Sequence, residues 1–317
     1  MLSKQLRQRW KEEYCKEWFQ FILDNPNYNW NYGWLSDNPN ITFDIVKNNP
    51  QIPWDCDYLS ENQNITWDIV KNNPDIDWSY CYLSLNPNIT WEIVQNNPDK
   101  DWDYYWLSLN PNITWEIVKN NQGQEWDYSN LSLNPNITWE IVKNNPDKPW
   151  YYGGLTDNPN ITWDIVKNNP QIDWNYSALS RNSNITWEIV KNNPDKQWNY
   201  NWLLSNPNIT FDIIKNNPDK PCHYGYLSKN QNITWDIVKN NPDINWNHGF
   251  LSRNQNITFD IIKNNPNKFW DYRYLSANPM TKQFNDYMEK KEELYNIAYK
   301  IIDRYTNRDI AEMIMSI

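Results

Sequence analysis

One order of apolar and polar positions returns along most of the chain. Ile41, Ile65, Ile89, Ile113, Ile137, Ile161, Ile185, Ile209, Ile233 and Ile257 stand 24 residues apart, each in an Asn-Ile-Thr-aromatic-acid run. Residues 38–61 give one full unit, with apolar positions at Ile41, Phe43, Ile45, Val46, Trp54, Tyr58 and Leu59. A fixed period on this scale marks a repeat array, in which no unit buries its own apolar side and stacking on neighbours supplies the core.

Each unit carries signals for two short helices. Thr42 is placed to cap a first helix over about 43–49. Ile41 and Val46 occupy the two positions of a hydrophobic staple around that cap. Asp44 puts negative charge at the positive helix end, and Pro50 stops the run. A second, shorter helix is expected within Trp54–Ser60, with Trp54, Tyr58 and Leu59 on one face, before Pro39-type residues break the chain again. The alternation of Ile41, Phe43 and Ile45 with Thr42 and Asp44 also fits a strand. Val46 breaks that alternation, so the helical reading is preferred over a parallel β solenoid. The expected core is Ile41, Phe43, Ile45 or Val46, Trp54, Leu59 and the aromatic residue at 56 or 58. The Trp54 position holds tryptophan in every copy except at Cys222. Rings of that size bury about 150–250 Å² each, which helps two-turn elements offset their ordering entropy.

The fold class expected is all-α: a right-handed superhelical solenoid of 24-residue repeats, each with an α-helix and a short α- or 3₁₀-helix. Residues 1–23 read as an N-terminal capping helix with Leu6, Trp10, Tyr14, Trp18 and Phe21 on its apolar side. Residues 24–280 hold about ten repeats. Residues 281–317 read as a C-terminal helical cap, with one helix over 281–296 and another over about 298–315. The apolar end, Ile310 to Ile317, is a candidate for self-association. An open array of this kind would be a rod or arc.

Composition narrows the chemistry. The net charge of −10 and the lack of a basic tract count against a nucleic-acid track. Cys15, Cys56, Cys81 and Cys222 share no position in the repeat, which fits a reducing compartment better than a disulfide framework. No apolar run reaches membrane-spanning length. The ten Asn-Ile-Thr triplets match a glycosylation pattern, but their regular recurrence points to a backbone role. His223, His248 and Cys222 do not make a zinc set by spacing. No catalytic motif is present, so no enzyme activity, cofactor or metal is expected.

The run Leu83, Ser84, Leu85, Asn86, Pro87, Asn88, Ile89, Thr90, followed by Trp91 to Val94, resembles the leucine-rich repeat variant family. That family also has 24-residue units and pairs an α-helix with a 3₁₀-helix. In its tryptophan and asparagine load the chain more closely resembles the Asn-Pro-x-Ile-Thr-Trp repeat proteins of giant DNA viruses of amoebae. The likeness covers residues 19–280. It implies a viral protein acting in the host cytoplasm or viral factory, or associated with the virion.

Function is sought in the positions that vary. The one after the Leu-Ser pair runs Asp37, Glu61, Leu85, Leu109, Leu133, Asp157, Arg181, Ser205, Lys229, Arg253 and Ala277. Three leucines in line offer an apolar stripe. Another position is aromatic except at Asn130, Gly154 and Ala178, where a concavity or a thinner wall is expected. The candidate partner-binding residues are therefore Leu85, Leu109, Leu133, Asn130, Gly154 and Ala178. The function expected is a non-catalytic scaffold binding a protein partner. The alternatives are a structural component of a virion and a modular single-stranded nucleic-acid binder.

Overall fold

The computed structural model describes residues 3–218 and 223–303. Among them the chain is all-α, with helices at each expected place in the repeat and no strand. The first helices run from Phe43–Asn48 in one copy to Phe259–Asn264 in the last full one. In the first of these, the Thr42 hydroxyl accepts from the Ile45 N–H (3.4 Å). Asp44 lies in the first turn and Lys47 in the last, each matching the helix dipole. Asn49 ends the helix by donating its side-chain amide to the Ile45 carbonyl (2.8 Å). The Asn49 carbonyl in turn accepts from the Trp54 indole (3.0 Å). That indole bond recurs in ten copies, so the tryptophan ladder packs its rings without stranding their N–H groups.

The second helix starts later than the apolar pattern suggests. In the same copy it spans Cys56–Glu61 and is capped by Asp55, which accepts from the Asp57 and Tyr58 N–H groups. Trp54 therefore precedes the helix and does not share a helical face with Leu59. Leu59 is fully buried, while the residue at position 56, Tyr80 or Tyr104 in later copies, flanks the core.

Adjacent copies are joined by buried polar side chains as well as by the core. Asn86 donates from Nδ2 to the carbonyls of Ser60 (2.8 Å), Asn62 (3.0 Å) and Ile65 (3.2 Å) in the preceding copy. Its Oδ1 accepts from the Asn88 N–H (2.8 Å). Asn88 donates back to Gln63 and Ile65. Ser84 donates to the Tyr80 carbonyl and accepts from the Asp103 N–H of the next copy. These groups are fully paired, and buried polar groups are tolerated only on that condition.

The array closes on itself. The Asn31 N–H donates to the Ser276 hydroxyl (2.9 Å), and Asn38 Nδ2 donates to the carbonyls of Ser276 (2.8 Å) and Asn278 (3.1 Å). Asn40 Nδ2 reaches the Pro279 carbonyl (2.9 Å). The Asn38 donations are those by which equivalent asparagines join the other neighbouring copies, and the backbone-to-serine bond recurs at most of those joints, made here between the two ends. Tyr28 stacks on Tyr272 with ring centres 3.8 Å apart, and Trp34 stacks on Tyr274 at 5.6 Å. The expected rod or arc is a ring of eleven second helices, from Tyr32–Ser36 to Tyr272–Ser276. Near-identical head-to-tail interfaces rotate by a near-constant angle, and a ring results when the rotation closes.

The terminal helices meet at this seam instead of covering opposite ends. The N-terminal helix spans Lys4–Asp24, and its last turn takes the place of an eleventh first helix. Phe21 stacks on Phe259 (3.8 Å) and Phe19 packs on Trp54 (5.8 Å). Met280 then turns the chain out of the ring with a left-handed φ of 47°. The C-terminal helix is one unbroken element, Thr281–Asp303, where two segments were expected. It packs on the N-terminal helix through Phe284 and Tyr287 against Tyr14, and Tyr295 against Trp10. Lys291 pairs with Glu13 and Arg7 with Glu292. The apolar end, Ile310 to Ile317, lies outside the described residues, as does Cys222.

Candidate functional site

The closed ring gives the two helix layers different roles. Second helices of adjacent copies approach one another closely, Cys56–Glu61 on Tyr80–Leu85 most of all, whereas neighbouring first helices stand further apart. In a ring the same angular step spans a shorter arc nearer the axis. The second helices therefore form the inner wall and the first helices the outer one. On a second helix Leu59 and Ser60 face the core. At 3.6 residues per turn Tyr58 and Glu61 then point away from it, into the lumen. The two variable rows are thus the lining of the ring.

The aromatic row stacks along this wall. Ring centres are 6.2 Å apart for Tyr58–Tyr82, 6.4 Å for Tyr82–Trp106 and 6.1 Å for Phe250–Tyr274. Trp34 on Tyr274 continues it across the seam. The break at Asn130, Gly154 and Ala178 is buried. Asn130 donates its amide to the Tyr105 carbonyl (2.9 Å), folding its side chain onto the neighbouring copy. At Gly154 a Cβ would meet the Tyr151 ring at 2.9 Å and Leu133 Cγ at 3.5 Å. Tyr151 and Leu133 thus occupy the space that the missing aromatic leaves, and no hollow opens at Gly154.

Leu85, Leu109 and Leu133 are half-buried on three adjacent second helices, in line as their spacing requires. On one side the row continues to Glu61 and Asp37, which share a shallow groove with Pro39, Gln63 and Leu85. Asp37 touches solvent, yet its carboxyl is pushed up to about 6 by desolvation and by the Glu61 charge. Desolvation raises Glu61 as well. On the other side Asp157 is held by Arg181, whose guanidinium also lies 4.8 Å from the centre of the Trp202 ring. Beyond Ser205, the Lys229 ammonium sits 4.0 Å from the centre of the Phe250 ring. Desolvation and the neighbouring Arg253 charge lower its pKa. Among the described residues neither Lys229 nor Arg253 has an acidic partner.

The Asn-Ile-Thr triplets have a structural role that their sequence did not reveal. In all ten, the asparagine Nδ2 donates into the preceding copy. That nitrogen is the atom a glycan would modify, so modification would break the joint between copies. Among the described residues no group of three or more His, Cys, Asp or Glu side chains is placed to hold a metal. His223 lies beside Tyr226 and His248 beside Trp270. No described helix is long and apolar enough to cross a membrane. No protein-family model, curated protein or solved structure matches the chain.

Proposed function

We propose that the chain is a non-catalytic ring scaffold that binds a partner protein on its inner wall. Leu85, Leu109 and Leu133 make the contact, with Asn130, Gly154 and Ala178 forming the packed surface beside them. The observation that carries this reading is the alignment of three half-buried leucines on adjacent second helices. An aligned apolar row offers continuous area, which single exposed leucines do not. The resemblance of the repeat to proteins of giant amoebal viruses supports a role in an infected host cytoplasm or viral factory.

The test is the triple replacement of Leu85, Leu109 and Leu133 by Ser, paired with a photoreactive side chain at position 109 in otherwise unaltered protein. Crosslinks in host extract should converge on one protein and vanish when the partner is competed away. The triple variant should lose that partner while its melting temperature changes little. A large loss of stability would assign the leucines to the core and refute the reading.

A further inference from the structure

Ring closure turns a linear row into two facing walls. Counted from Asp37, Leu85, Leu109 and Leu133 are third to fifth of the eleven positions, and Lys229 and Arg253 are ninth and tenth. Half a turn separates the two groups, so the leucines face the two cations across the lumen. Eleven helices at the usual spacing of about 8–10 Å close a circle about 30 Å across at their axes. Removing the width of helices about 10–12 Å thick leaves a lumen of roughly 18 Å. That width admits one further α-helix and little else of protein.

The charges define what such a helix must carry. Lys229 and Arg253 have no acidic partner among the described residues, and Arg181 is already committed to Asp157. Asp37 and Glu61 flank the leucines on the seam side and repel carboxylates there. We propose that the lumen holds an acidic amphipathic helix of the partner protein, with its apolar stripe on Leu85, Leu109 and Leu133 and its carboxylates on Lys229 and Arg253. This deepens the scaffold reading and rests on it. Facing apolar and cationic walls would discriminate against a basic helix, because its cations would meet the like charges of Lys229 and Arg253.

The experiment uses the full chain and three labelled synthetic helical peptides, followed by fluorescence anisotropy. The first carries leucines at i, i+3, i+4 and i+7 with glutamates opposite. The second has lysines in place of the glutamates. The third keeps the glutamates but scrambles the leucines. The first should bind at least about tenfold more tightly than the others, and added salt should weaken it. Lys229→Glu with Arg253→Glu should reverse the preference between the first two. Lys229→Gln with Arg253→Gln, which adds no repulsion, should abolish the preference if the reversed variant does not fold. Equal binding of the acidic and basic peptides, unchanged by either variant, would overturn the charged-wall inference. If the triple leucine variant still lost both peptides in that case, the leucine-based scaffold reading would survive. Binding of the scrambled peptide as tight as that of the first would overturn the amphipathic requirement, and no binding by any peptide would overturn the proposal. Saturation of the lumen by laurate, with no peptide bound, would assign the walls to a small anionic amphiphile.

Discussion

The seam and an interior joint of the ring are built from the same polar parts but completed differently. At the interior joint, Asn134 donates to the carbonyls of Ser108 (2.9 Å) and Asn110 (3.0 Å) and accepts from the Asn136 N–H. At the seam, Asn38 makes the matching pair of donations to Ser276 and Asn278 and accepts from the Asn40 N–H. The joint just before the seam departs from the pattern at Met280, which occupies the ladder-asparagine position and carries the left-handed φ. Lys282 supplies its backbone N–H to the Gln255 carbonyl that the asparagine would have reached (3.1 Å). The terminal helices add Trp18, Tyr14 and Phe21 to the seam, all buried. The Trp18 indole N–H and the Tyr14 hydroxyl have no hydrogen-bond partner there, unlike the repeat tryptophans. The Asn134 joint is thus satisfied by local bonds, whereas the seam makes the same bonds and adds apolar burial that tolerates two unpaired polar atoms.

The strongest challenge to this contrast is Trp18→Ala. A large aromatic truncation at a buried site should cost about 3–5 kcal/mol. Because Trp18 packs on Phe259 across the seam (5.9 Å), the loss should open the ring. Small-angle scattering should show an open arc of larger radius of gyration. An unchanged closed profile would mean that the asparagine bonds alone hold the ends together. Trp18→Phe, which also deletes the unpaired N–H, should cost much less.

A matched pair measures how alike the joints are. Asn38→Ala and Asn134→Ala each remove two donors and one acceptor from buried carbonyl and N–H groups. Each should destabilise the fold by about 2–4 kcal/mol, since buried partners are left unsatisfied. Denaturation should give nearly equal values for the two. A much smaller cost at Asn38 would show that the terminal helices carry the seam without it.

The smallest effect concerns the acidic pair beside the seam. The folded chain holds a proton on Asp37 up to about pH 6, above the ordinary carboxylate value of 3.8. The folded state therefore binds more protons than the unfolded one between those values, and stability falls as pH rises through that window. Below it both states are protonated and nothing is lost. Asp37→Asn should raise the melting temperature at pH 7.5 and leave it nearly unchanged at pH 3. Equal shifts at both pH values would show that the carboxyl charge is not the cause.

The repeat, its first helix and its buried Ile41 and Leu59 positions were legible because each signal is local: a cap, a staple, a stop and a period. Ten copies repeat the same local argument, so tertiary context has little chance to override it. The second helix was placed less well, because Trp54 follows helical spacing from Leu59 yet serves a bond to Asn49 before the helix begins. The asparagines were read as backbone-shaping residues, but their bonds run between copies, and nothing in one unit shows where its neighbour's carbonyls lie. Asn130, Gly154 and Ala178 marked an irregularity correctly. What fills it at Gly154, Tyr151 folded back beside Leu133, depends on side-chain placement and not on spacing.

Local periodicity by itself determined an all-α stack and the alignment of Leu85, Leu109 and Leu133, because a constant repeat length forces equivalent residues into rows. Closure, the inner and outer walls, and the opposition of the leucines to Lys229 and Arg253 were decided only by the tertiary structure. They depend on the small rotation between neighbouring copies. That angle is set by packing and bond geometry too fine to read from residue types, and its effect accumulates until the two ends meet.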